Sequence, residues 1–76
     1  MKSNYQFTAQ IEKDKETGLY IGTVANLPGA HSQGETLDEL HENLKEVVAL
    51  CLEELGADEV KNLSEFVGFQ QISVAV

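Results

Sequence analysis

Two histidines, His31 and His41, one cysteine, Cys51, and 13 carboxylates are the side chains in this 76-residue chain best suited to bind metal or exchange protons. A zinc site takes three or four such ligands, with pairs of them a few residues apart, and neither histidine has a second His or Cys at short spacing. Cys51 falls at the spacing of a helix's apolar face, the place of a small buried hydrophobe. His31 has no serine or cysteine that the pattern pairs with it as a nucleophile. Two-metal hydrolysis needs several acids converging on one point. The first strand offers only Glu12, while Asp14 and Glu16 lie in the next loop and Glu39 and Glu42 lie on the solvent side of a helix. The sequence therefore predicts no catalytic residue, no metal ligands and no cofactor site.

The formal charge is -8, with five lysines and no arginine. Phosphate neutralisation needs clustered cations, and Lys2, Lys13, Lys15, Lys45 and Lys61 are scattered among acids, so direct nucleic-acid binding is not expected. The charge has two readings, a basic protein partner steered by a complementary field or simple solubility. No run of 18 or more apolar residues exists to cross a membrane, and the first residues lack the apolar core of a secretion signal. A soluble, cytoplasmic protein is expected.

The elements that would position these side chains follow from periodicity. Tyr5, Phe7, Ala9 and Ile11 alternate with polar residues, which marks a strand with one buried face. A polar loop of about six residues ending at Gly18 leads to a second strand over residues 19–25. Gly22 in it signals a bulge or a close backbone approach, and apolar groups on both its faces leave Tyr20 and Val24 assignable to either side. Pro28-Gly29 predicts a sharp turn, followed by a short third strand over residues 30–34. Thr36 and Glu39 form a capping box in which Glu39 reaches back to the Thr36 amide, so a helix starts at Leu37. Its apolar stripe is Leu37, Leu40, Leu44, Val47, Val48, Cys51 and Leu55, with Gly56 closing it in the left-handed conformation. Asp38, Glu42 and Glu46 stack at four-residue steps as like charges. Ile72, Val74 and Val76 share one face of a final strand.

The prediction is an α+β fold: one domain over residues 1–76, in two layers, with element order β-β-β-α-β. Right-handed crossover places the fourth strand beside the first and parallel to it, giving a four-stranded, mostly antiparallel sheet of order 3-2-1-4 with one helix packed on one face. The uncovered face and the two sheet edges invite a partner or a second copy. Self-association as a dimer or tetramer is expected, because a core this small is marginal.

The runs Leu27-Pro28-Gly29 and Ser32-Gln33-Gly34-Glu35-Thr36-Leu37-Asp38-Glu39-Leu40, with the helix behind them, resemble the HicB-like antitoxin family. The likeness covers roughly residues 5–55. It implies a partial ribonuclease H fold without nuclease chemistry and a partner that is a small, basic, RNA-cleaving HicA-like toxin. Family members with a C-terminal DNA-binding module repress their own operon; no basic module follows the fourth strand in this sequence, so operator binding by this chain is not expected. The expected contact residues are Asn26, Leu27, Pro28, His31, Gln33 and Glu35, with the acids Asp38 and Glu42. Two other readings compete with toxin sequestration: an orphan self-associating interaction domain, and a metal-dependent ribonuclease.

Overall fold

The structure, a computed structural model, describes residues 5–76. Three strands, β1 (Ala9–Lys13), β2 (Tyr20–Val24) and β3 (His31–Gly34), precede a long helix α1 (Leu37–Glu54) and a short one, α2 (Ala57–Lys61). The strands form one antiparallel sheet of order β1-β2-β3.

Local chemistry explains each reversal. Between β1 and β2, the Asp14 amide donates to the Leu19 carbonyl at 2.9 Å, and Gly18 takes a φ of 74° that a side chain would resist. The Asp14 carboxylate accepts from the Thr17 hydroxyl at 2.8 Å and from the Glu16 amide at 3.3 Å. These bonds favour the ionised carboxyl and hold its pKa below the ordinary 3.8, the Thr17 hydroxyl contributing most. A depressed folded-state pKa means that this loop's contribution to stability is present above the unfolded value and is lost as pH falls through the folded one. Thr17→Val should therefore move the Asp14 titration, followed by carboxyl NMR shifts, upward toward 3.8; an unmoved titration would show the hydroxyl to be irrelevant.

At the second reversal the Ala30 amide donates to the Leu27 carbonyl at 3.1 Å and Gly29 has a φ of 81°, the arrangement of a type II turn with Pro28 at its first corner. Thr36 caps α1, its hydroxyl accepting from the Glu39 amide at 3.0 Å. The Glu39 carboxylate reaches one residue further back than a capping box requires and accepts from the Glu35 amide at 3.4 Å. Gly56 also differs from expectation: its φ of -73° is extended backbone, and it serves as the N-cap of α2 rather than as a left-handed stop for α1.

Register settles the open question of β2. Val24 pairs with Ala9, Gly22 with Ile11 and Ser32, and Tyr20 with Lys13 and Gly34, all on the side of the sheet that meets α1. Tyr20 and Val24 therefore face the helix. Gly22 sits in continuous pairing, with no bulge, and its role is close approach: a Cβ there would lie 2.8 Å from Leu44 Cδ1. The core comprises Val24, Leu27, Ala30, Leu40 and Leu44, with Phe7, Ala9, Tyr20, Val47, Val48, Cys51, Leu55 and Leu63 packed around it. Cys51 is half-buried against this core, whereas Leu37, expected in the same stripe, opens the helix at 54% exposure.

The fourth strand is the main departure. Residues 64–76 carry no strand pairing, so among the described residues the sheet has three strands with β2 central, and the order 3-2-1-4 is not shown. The alternation of Ile72, Val74 and Val76 is intact, but these side chains lie exposed rather than over the sheet.

Candidate partner-binding surface

Two surfaces of opposite character flank the sheet. On the side away from α1, antiparallel pairing aligns Gln10, Thr23 and His31 in one row and Glu12, Ile21 and Gln33 in the next. This is a flat, mostly neutral polar face. On the other layer, Asp38, Glu42 and Glu46 run along the solvent side of α1, all exposed. Glu42 has one neighbouring cation, Lys45 at 3.8 Å, a long and solvated contact that contributes little energy. Like charges at four-residue spacing repel by about 0.2–0.5 kcal/mol per pair, so the stripe does not serve the helix's own stability.

The eight expected contact residues are divided between these surfaces and the interior. His31 and Gln33 share the polar sheet face, because alternate residues of β3 point the same way. The backbone carbonyl of Gln33 is tied to α1 by the Asn43 side-chain amide at 2.8 Å, which fixes β3 against the helix. Glu35 is exposed in the link to α1, and Pro28 is exposed at the turn. Asp38 and Glu42 belong to the helix stripe. Leu27 is 1% exposed and packs in the core, so it supports the turn from beneath. Asn26 is half-buried, and its Oδ1 has no hydrogen-bond donor among the described residues. Gln10, Glu12 and Thr23 were missed as neighbours of His31 and Gln33, since only the pairing register brings them together. Glu12 and His31 occupy different rows on the two outer strands with β2 between them. Among the described residues no three His, Cys, Asp or Glu side chains are grouped to hold a metal ion.

Residues 7–72 match the family model described as HicB_like antitoxin of bacterial toxin-antitoxin system. The chain belongs to the HicB-like antitoxin family. Similar proteins include a UPF0150 protein of Synechocystis, 49% identical over 91% of this chain and 94% of its own length. Another is a UPF0150 protein of Thermotoga maritima, 52% identical over 90% of this chain and 88% of its own. A third, from Archaeoglobus fulgidus, is 44% identical over 91% and 94%. No solved structure matches the chain. In this HicB-like chain the Pro28 turn, the short β3 and the capped start of α1 form one continuous unit inside the matched residues. No helix among the described residues is long and apolar enough to cross a membrane.

Proposed function

We propose that this chain is a non-enzymatic antitoxin module, a single domain that sequesters a small, basic, RNA-cleaving HicA-like toxin in the cytoplasm without contacting nucleic acid itself. The observation that carries the reading is a net charge of -8 on a member of an antitoxin family. Charge complementarity favours the helix layer as the docking side: Asp38, Glu42 and Glu46 present a continuous acidic stripe, and Glu35 extends it toward the strand. A cationic toxin would be steered to this side, with apolar contacts setting the residence time.

Co-expression with a lysine- and arginine-rich protein, where a neighbouring reading frame encodes one, tests the proposal. A co-purifying complex and relief of growth arrest are expected, and obtaining neither would end the antitoxin reading. Replacing Asp38, Glu42 and Glu46 together by their amides should slow association about tenfold at low salt while barely changing the dissociation rate, as expected for steering charges. An equal effect from His31→Ala and Gln33→Ala, with none from the helix set, would move the docking side to the sheet. A second reading, self-association as a dimer or tetramer, is favoured by the exposed apolar side chains of residues 67–76.

A further inference from the structure

A groove runs between the outer edge of β1 and α1, lined by Ala9 and Ile11 on one side and Leu37, His41, Val48 and Leu52 on the other. Ile11 is 50% exposed in it, although Ile11 shares the helix-facing side of the sheet with the core residue Val24. Among the described residues β1 pairs only with β2, so its other edge has no strand partner. The same chain also carries a strand pattern with no sheet. Ile72 and Val74 lie on one side of residues 70–76 and are 80% and 73% exposed.

We propose that residues 70–76 of one copy pair with the free edge of β1 in a second copy, and reciprocally, so that two chains exchange their C-terminal strands. This deepens the self-association reading above by naming the segment and the slot. Ile72, Val74 and Val76 recur at the same two-residue step as Phe7, Ala9 and Ile11, so three apolar side chains meet three on the face above α1. Exchange rather than closure within one chain follows from the path after α1. Leu55, Asn62 and Leu63 line a cleft with Leu27 and Pro28, and residues 64–76 carry no strand pairing with the β1 of their own chain.

The exposed area fits a dimer. The chain exposes 6594 Å², whereas a compact monomer of 8.3 kDa exposes about 4,600 Å². Even a fully exposed N-terminal tetrapeptide would supply only about 700 Å² of that excess, by the linear scaling of unfolded chains. The remaining surplus of about 1,300 Å² exceeds the roughly 800 Å² that each partner contributes to a standard interface. The radius of gyration is 14.5 Å, against about 11 Å for a compact domain of this length. A reciprocal exchange is closed and two-fold symmetric, so it pairs the β1 edge of each copy without opening a route to fibres.

Sedimentation equilibrium of the full chain and of the double variant Ile72→Asp, Val74→Asp tests the exchange. The parent protein should be dimeric, and the variant's dimer dissociation constant should rise about a hundredfold, since two charges would enter an apolar groove. Its circular dichroism should match that of the parent at concentrations dilute enough for both to be monomeric, because both side chains are exposed in the single chain. In mixed dimers of labelled and unlabelled chains, Val74 methyls should show contacts to Ala9 or Ile11 of the other copy. A monomeric parent would overturn the exchange and self-association together. A dimer that survives the double substitution, or one in which Val74 meets β1 of its own chain, would overturn the exchange alone.

Discussion

Gly34→Ala is expected to destabilise the fold by about 3 kcal/mol, a cost at the upper end of overpacking penalties. Gly34 ends β3 where the chain is about to enter α1, and it is buried. A Cβ built there would stand 2.6 Å from the Leu40 amide nitrogen, 3.0 Å from the Leu40 Cα and 3.2 Å from the Glu39 carbonyl carbon. These are backbone atoms of the first turns of α1, so no rotamer change relieves the overlap. Either β3 detaches from β2 or the start of the helix lifts off its cap. Gly22 provides the internal contrast. Its added Cβ would meet the ends of the Leu44 and Leu40 side chains, which can rotate, so Gly22→Ala should cost only about 1 kcal/mol. A chain of this length has a total stability of about 4–11 kcal/mol, and the urea midpoint of the Gly34 variant should fall accordingly at an unchanged slope. Equal midpoints for the two alanine variants would refute the distinction between backbone and side-chain contact.

The same two glycines show what the sequence discloses and what it withholds. Alternation in β1 correctly assigns Phe7, Ala9 and Ile11 to the helix side, because one face there is polar. β2 has apolar residues on both faces, so hydropathy leaves its register open, and close approach identifies the inner face: Gly22 faces Leu40 and Leu44, where a side chain would press on both. The final strand is legible as a pattern and not as a pairing. Period-two apolar residues record that a face is to be buried, and carry no information about which chain supplies the other surface. Gly56 looks like a helix stop in the sequence because a glycine after a helix is usually its left-handed stop, whereas here a second helix starts at once and takes it as an N-cap.

The expected contact residues do not lie on one surface, for a related reason. Residues 26–35 are contiguous in sequence, but strand alternation sends His31 and Gln33 outward and Ser32 and Gly34 inward, while the turn sends Leu27 into the core. The stripe of Asp38, Glu42 and Glu46 along α1 is legible because helical spacing at four residues is readable without tertiary information.

Leu40→Ala should cost about 3–5 kcal/mol, in the range for a large buried aliphatic side chain whose site cannot collapse. Leu40 is 1% exposed and sits where α1 meets both glycine positions. Its two Cδ atoms lie 3.3 and 3.4 Å from where a Gly22 Cβ would be. One wall of its site is the Gly22 backbone, which cannot move in to fill the space left by three missing carbons, and the rest is the packed core of Val24, Leu27, Ala30 and Leu44. A loss of that size takes up a large part of the stability of a 76-residue domain and should lower the melting temperature by at least about 12 °C. By contrast, His31→Ala, at an exposed position, should stay within about 0.5 kcal/mol of the parent. The pair separates two ways of losing a partner. If Leu40→Ala abolishes toxin binding, the association should return at low temperature, where the folded population recovers. A loss caused by removing the acids of α1 should persist at every temperature, because those side chains act on the encounter and not on the fold.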